Sequence, residues 1–141
     1  MSLLSFDDLY AAADRAAARI PVVAAGGADR TVLEALSEAH RRGWVSPIVT
    51  GIESEIRTVA EAAAVDLAPF RIVPGADPAL TAVAEVTAGR AALLMKGQIA
   101  TPSLMKAVLS RDTGLPTSHA IGPVVMLALP RAHRRSLLAA T

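Results

Sequence analysis

The sequence contains no cysteine, few aromatic residues and no long apolar run. Without cysteine the chain cannot form a disulfide framework, a cysteine-ligated zinc site or a thiol nucleophile. Because aromatic residues make up 3% of the chain and hydrophobic residues 52%, the core must consist of Ala, Val, Leu and Ile. The longest apolar run, 120–129, is broken by Gly122 and Pro123 and is shorter than the ~20 residues that a membrane helix needs. No membrane-spanning helix is predicted.

The charge is nearly balanced, with 14 Lys and Arg against 13 Asp and Glu. This balance predicts neither nucleic acid nor an anionic membrane as a partner. The N-terminus lacks the basic start and the apolar stretch of a signal peptide. The histidines His40, His119 and His133 are not spaced as metal ligands, so no metal is predicted. We expect a soluble, cytoplasmic protein of about one domain in length.

A unit of strand, turn and helix recurs four times along the chain. Each predicted strand is apolar along its whole length, which is typical of strands buried on both faces of a parallel sheet. The predicted strands are 22–25, 47–50, 71–73 and 91–95. Since parallel strands need crossover helices, the pattern predicts a three-layer α/β/α, doubly wound, mostly parallel sheet.

Local signals predict where the helices begin. Ser5 opens a first helix that extends to Ile20, and Thr31 followed by Glu34 forms a capping box for the second helix. Asp77 followed by Pro78 opens the fourth helix, and Thr101 followed by Pro102 supplies an N-cap residue and a proline at the first helical position of the fifth. These helix starts all follow predicted strands except the first.

After Gly114 the pattern changes. Two strand-like runs, 121–129 and 136–140, are separated by too few residues for a crossover helix, so they should pair as an antiparallel hairpin. We divide the chain into a first α/β domain, 1–116, and the start of a second, incomplete domain, 117–141. The expectation at this stage is that the second domain is truncated, because the chain stops inside or just past a strand.

The turn from Lys96 to Ser103 is the best candidate for a binding site. Lys96 ends a predicted strand, Gly97 follows it, and Thr101 and Ser103 begin the next helix. Ligands gather at this edge of an open α/β sheet, and helix N-termini attract anions. An equally strong alternative is that Lys96 is a solvated charge and Thr101 a plain cap. Lys106, farther along the helix, is more often a surface charge.

The glycine turn 24–29 occupies the place of a phosphate-binding loop but lacks the G-x-G-x-x-G spacing. We therefore interpret it as a tight turn between a strand and a helix, not as a dinucleotide site. Ser118 and His119 are adjacent at the start of a strand and point to opposite faces, so we do not interpret them as a nucleophile and its base. The catalytic residues are unknown from the sequence.

The stretch 91–97, followed by Thr101 and by 104–109, resembles the signature of the phosphate acetyl/butyryl transferase family, and the butyryl branch most. Two further stretches are similar to the family: 22–51 to its opening strand, helix and second strand, and 117–127 to the strand that enters its second domain. The likeness extends from Pro21 to Thr141. The family's serine-arginine pair and its aspartate have no counterpart here.

The resemblance implies an N-terminal portion of an enzyme with the fold of isocitrate and isopropylmalate dehydrogenases. It implies acyl transfer between coenzyme A and orthophosphate, no cofactor besides coenzyme A as substrate, and a homodimer. The candidate residues for binding phosphate or coenzyme A are Lys96, Gly97, Thr101, Ser103 and Lys106. Lys106 stands where acetyl relatives more often have arginine, and it lacks that residue's bidentate fork.

Two alternatives stay open. The chain could be a non-catalytic α/β module that binds an anion or coenzyme A, or it could belong to a phosphate acyltransferase of the same fold that uses an acyl carrier protein in place of coenzyme A. Whether the enzyme uses coenzyme A or an acyl carrier protein, residues 1–141 alone are expected to be inactive.

Overall fold

The structure of the protein is a computed structural model that describes residues 5–115 and the backbone of two short strands, 124–127 and 137–140. In chain order the described elements are α1 (Phe6–Asp14), β1 (Ile20–Ala25), α2 (Arg30–Arg41), β2 (Val45–Gly51), α3 (Glu53–Ala62), β3 (Arg71–Pro74), α4 (Pro78–Thr87), β4 (Leu93–Lys96), α5 (Thr101–Val108), β5 (Val124–Leu127) and β6 (Leu137–Ala140). The chain divides into two compact units, one of Ala18–Pro116 and one of Met1–Ala17 with Thr117–Thr141. The sequence-based division into 1–116 and 117–141 stays a prediction.

The larger unit contains a sheet of four parallel strands in the order β3-β2-β1-β4. The chain builds outward from β1 to β2 and β3, and then crosses back to place β4 on the other side of β1. In the ladder, Val23 lies opposite Ile48 on β2 and opposite Leu94 on β4. The predicted parallel α/β sheet is confirmed.

Helices cover both faces of this sheet, because the strand side chains alternate between two apolar clusters. One cluster joins β1 and β2 to α2 and α3, with Val22, Ala24, Leu33, Val49 and Ile56 at its centre. The other joins the opposite face to α4 and α5, with Val23, Ala25, Ile48, Val83 and Leu104. The sheet and the helices on its two faces therefore form the predicted three-layer α/β/α arrangement.

The smaller unit contains α1 and the antiparallel pair β5 and β6. Val124 lies opposite Ala140, and Leu127 lies opposite Leu137. The predicted terminal hairpin is confirmed as an antiparallel pairing. The structure describes 124–127 and 137–140 of the predicted runs, and the rest of 121–129 and 136–140 lies outside the described residues.

Two predicted boundaries near the N-terminus are wrong. The helix that Ser5 caps ends at Asp14, and Ile20 and Pro21 belong to β1, where the amide of Ile20 donates to the carbonyl of Trp44 at 2.9 Å. Strand pairing therefore overrides the helical spacing of the alanines. The cap of α2 is Asp29, whose carboxylate accepts from the amide of Val32 at 2.9 Å. Thr31 is already inside the helix.

Two expectations for the fourth unit also change. Thr101 is the first residue of α5, and its N-cap is Ala100, which provides no side-chain hydrogen bond. Strand β4 was expected to be buried, but in the described sheet it pairs only with β1. Its Leu93 is therefore 52% exposed.

Candidate functional site

The carboxyl ends of β1 and β4 meet where the chain reverses its direction of winding. In doubly wound sheets this reversal opens a crevice that binds ligands. The loop 26–29 leaves β1 and the loop 97–100 leaves β4 at this point. Of the five sequence-predicted binding residues, Lys96 ends β4, Gly97 begins the second loop, and the other three follow that loop in α5.

The crevice between the two loops is closed by backbone contacts. The amide of Gly97 donates to the carbonyl of Ala25 at 2.9 Å, and the amide of Gln98 donates to the carbonyl of Gly26 at 2.8 Å. A Cβ atom on Gly97 would lie 2.1 Å from the oxygen of Gly26. The backbones of the two loops are therefore packed directly against each other. The glycine turn joins β1 to α2 over four residues, a tight turn as the sequence predicted, and Gly97 has a packing role of its own.

The start of α5 differs electrostatically from the other helix starts at this edge. Asp29 and Asp77 cap α2 and α4 with their carboxylates. Helix α3 begins without a side-chain cap, but Glu53 and Glu55 lie in its first turn. Helix α5 has neither a side-chain cap nor an acidic residue in its first turn. Of these four helix starts, α5 is therefore the one that is open to an anion.

The donors at the start of α5 are few. Pro102 has no N–H group, and the amide of Ser103 donates to the carbonyl of Ala100 at 3.1 Å. The amide and hydroxyl of Thr101 and the hydroxyl of Ser103 complete the set, and both side chains are exposed. An anion here would need help from a nearby cation.

Lys96 is placed to give that help. It ends β4 opposite Ala25, and it lies two residues beyond Leu94, which packs in the cluster with α4 and α5. Since side chains alternate along a strand, Lys96 lies on the face of the sheet that α5 covers. It is exposed. The ion pairs described for residues 5–115 join arginines to Glu34, Glu38, Glu53 and Glu85 and involve neither Lys96 nor Lys106.

Ser103 and Lys106 line a separate groove of about 290 Å³ between α4 and α5. Its other walls are Asp77, Leu80, Ala107 and Ser110. The structure therefore divides the predicted residues between two places. Lys96, Gly97 and Thr101 form the turn, Lys106 belongs to the groove, and Ser103 touches both.

A shallow groove along the carboxyl edge contains two residues that the sequence reasoning missed. Glu55 and Gln98 line it, together with Gly26, Gly27, Ala28, Gly51, Ile52, Ala76 and Pro78. Both follow strands closely, Glu55 four residues after β2 and Gln98 two residues after β4. Position after a strand was therefore the signal that could have identified them.

Most carboxylates of residues 5–115 have structural partners. Asp29 and Asp77 cap helices, Asp66 accepts from the amide of Ala68, and three glutamates pair with arginines on their own helices, Glu34, Glu38 and Glu53. Arg42 and Arg41 hold the pKa of Glu38 below its ordinary value through hydrogen bonds. Arg90, as the largest cause, and Arg71 lower the pKa of Glu85 in the same way, although burial opposes them. None of these groups is arranged as a general base.

The described residues contain neither a cluster of metal ligands nor a helix suited to a membrane. No group of three histidine or acidic side chains there could hold a metal ion. None of the helices in residues 5–115 has the length and apolar character that a membrane crossing requires.

Comparisons with known proteins identify proteins that are similar to this chain. No protein-family model matches it. It is 38% identical over 128 residues to a phosphate acetyltransferase of Rhizobium meliloti, covering 89% of this chain and 40% of the relative. It is 32% identical over 108 residues to a phosphate butyryltransferase of Clostridium beijerinckii, covering 74% of this chain and 36% of the relative.

Solved structures agree with the sequences. A branched-chain phosphotransacylase from Enterococcus faecalis superposes with a TM-score of 0.66 at 25% identity, covering 86% of this chain and 42% of that one. A phosphotransacetylase, EutD, from Staphylococcus aureus superposes with a TM-score of 0.70 at 16% identity, covering 97% and 50%. The second likeness shows the fold alone.

The chain spans about two fifths of the length of the curated relatives that it matches. Within that span the sequence comparisons and the fold point to the same proteins. The predicted resemblance is confirmed, and this chain belongs to the phosphate acetyl/butyryl transferase family.

Proposed function

We propose that the chain is the part of a phosphate acyltransferase that contributes to binding phosphate or coenzyme A. The whole protein would transfer an acetyl- or butyryl-type group from coenzyme A to orthophosphate, which releases free coenzyme A and forms an acyl phosphate. The names of the relatives support this reaction. A homodimer and a cytoplasmic location, which the family resemblance implies, belong to the same proposal.

The observation that carries the proposal is the start of α5. It is uncapped by any side chain and free of acidic residues, and Lys96 ends the strand that leads to it. A helix N-terminus next to a cation is a suitable site for a phosphate group. The other three helix starts of this edge already carry carboxylates.

Residues 1–141 alone are expected not to catalyse the reaction. Acyl transfer needs a base for the thiol and donors for the developing oxyanion. The carboxylates described above mainly cap helices or pair with arginines, and the other residues that line the groove of Glu55 carry no charge that would prepare it as a base. Incubation with acetyl- or butyryl-coenzyme A and phosphate should release no free thiol above background. Turnover of roughly 10 per second, typical of enzymes, would contradict this expectation.

A phosphate titration followed by the backbone amide resonances tests the binding site. Perturbed amides should cluster in 96–103, and sodium chloride at equal ionic strength should leave them unchanged. Perturbations confined to other parts of the chain would contradict the proposed site. The same titration with coenzyme A shows whether the turn accepts its phosphates.

A non-catalytic binding module is the second candidate. It is favoured because most of the described carboxylates already cap helices or pair with arginines. It would bind phosphate or coenzyme A at the same turn, and no extended form of the protein would turn over acyl-coenzyme A. An acyltransferase that uses an acyl carrier protein would bind phosphate but not free coenzyme A. An assay with both acyl donors on the longest natural form separates the three.

A further inference from the structure

We propose that Thr50 is a positioning residue for the turn 96–103, since its buried side chain holds the loop on which that turn rests. The part of this inference that concerns a ligand rests on the function proposed above. The part that concerns the loop stands on the contacts of Thr50 alone. Thr50 is fully buried near the end of β2, so it cannot touch a ligand itself.

Thr50 binds both amides of the glycine turn after β1. Its backbone carbonyl accepts from the amide of Gly27 at 2.8 Å, and its hydroxyl lies 3.4 Å from the amide nitrogen of Gly26. The hydroxyl also faces two carbonyl oxygens, that of Pro78 at 2.8 Å and that of Ala24 at 3.2 Å. One threonine thus connects the ends of β1 and β2 with the start of α4.

Gly26 connects Thr50 to the neighbouring loop 97–100 through hydrogen bonds on both sides of its backbone. Its amide faces Thr50, while its carbonyl accepts from the amide of Gln98 at 2.8 Å. A Cβ atom on Gly26 would lie 2.8 Å from the carbonyl oxygen of Gln98. The two loops are therefore in direct contact, so a shift of Gly26 must move Gln98 as well.

Gln98 lies immediately before the start of α5. The amide of Ile99 donates to the carbonyl of Gly97 at 2.9 Å, and Ala100 then begins the helix as its N-cap. Between Gln98 and Thr101 only two residues intervene. The position of Gly26 therefore sets where the open helix start lies relative to Lys96.

A purely structural role is the alternative, in which the hydroxyl only satisfies buried carbonyl groups. That role predicts lower stability and nothing specific at Gln98. Two features favour a positioning role. Thr50 contacts the loop after β1 at the carboxyl edge, and the carbonyl of Gly26 in that loop accepts a hydrogen bond from the amide of Gln98.

Hydrogen exchange of the Gln98 amide in the chain without ligand provides the first test. In Thr50→Val the exchange rate of this amide should rise about tenfold, the effect of losing one hydrogen bond, relative to amides in α2. Thr50→Ser should restore it. Ile48→Val is the control, because Ile48 lies on the same strand and face and is also buried. If Ile48→Val raises Gln98 exchange equally, or if Thr50→Val does not raise it, the proposal is overturned.

Titration with inorganic phosphate provides the second test. Affinity at the turn 96–103 should fall about three- to tenfold in Thr50→Val and should recover in Thr50→Ser. If the wild-type chain binds no phosphate there, the proposed function fails, while the exchange measurement still decides the role of Thr50. Should Thr50→Val not fold, Thr50→Ala compared with Thr50→Ser isolates the hydroxyl. Equal Gln98 exchange in that pair would also overturn the proposal.

Discussion

Glu85, near the end of α4, accepts three hydrogen bonds from the guanidinium of Arg90, at 2.9, 3.0 and 3.1 Å. It also pairs with Arg71, the first residue of β3. The carboxylate is 5% exposed, whereas the two arginines are 46% and 54% exposed. This cluster connects α4 to the beginning of β3 and to the segment before β4. It lies at the amino edge of the sheet, away from the turn 96–103.

Replacing Glu85 should therefore affect stability and not phosphate binding. We expect Glu85→Gln to lower the free energy of unfolding at pH 7 by about 1–2 kcal/mol, less than for a fully buried pair because the arginines are half-exposed. Urea denaturation measures this loss. The control is Glu53→Gln, which breaks the exposed pair with Arg57 and should cost less than about 0.5 kcal/mol.

The same cluster predicts a pH dependence. Because hydrogen bonding from Arg90 holds the pKa of Glu85 below its ordinary value of 4.5, the stabilisation is present above that value. It is lost as the pH falls through the lower pKa of the folded state. The difference between wild type and Glu85→Gln should shrink below pH 4.5. A difference that stays constant down to acid unfolding would contradict the assignment.

Replacing Gly97 should be costly for steric reasons. In Gly97→Ala the new methyl group would lie 2.1 Å from the oxygen of Gly26, and separating the loops should cost about 2–3 kcal/mol or more. Gly89→Ala is the comparison, since Gly89 has a φ of +76° but open space around it. It should cost about 1 kcal/mol through backbone strain. Equal losses of unfolding free energy in the two variants, measured by denaturation, would show that the contact between the loops is not rigid.

Lys96 should contribute to phosphate binding through its charge. We expect Lys96→Met to raise the half-saturating phosphate concentration about three- to tenfold, the effect of losing a charge-assisted hydrogen bond, with the melting curve unchanged because Lys96 is exposed. Arg111→Met removes the same charge beyond the other end of α5 and should have little effect. If both variants weaken binding alike, the effect of Lys96 comes from net charge, and its interpretation as a plain surface residue is correct.

The cap of α2 gives a test of a corrected boundary. Asp29→Ala should destabilise the protein by about 1 kcal/mol, a typical cost for losing an N-cap. Thr31→Ala should cost less than half of that, because Thr31 is exposed inside the helix. Thermal denaturation of both variants compares them directly. A larger loss of stability in Thr31→Ala than in Asp29→Ala would show that Thr31 caps the helix, as the sequence suggested.

The sequence by itself determined the recurring strand, turn and helix units, the parallel sheet and the terminal antiparallel pair. It also determined the caps at Ser5 and Asp77. Each of these depends on side-chain periodicity or on residues three or four positions apart. The position of Lys96 at the carboxyl end of β4 followed for the same reason, and so did the start of α5 near Thr101.

Only the tertiary structure decided which residues from distant parts of the chain meet. The strand order placed β4 at the edge of the described sheet and exposed Leu93. The contact of Gly26 with Gln98 closed the crevice between the loops, and Ser103 and Lys106 went to a groove beside α4. The hydroxyl of buried Thr50 meets partners 24 or more residues away, and Glu85 meets Arg71 from 14 residues away. Such pairs carry no periodic signal, because their contact free energy arises only when the sheet and its helices assemble.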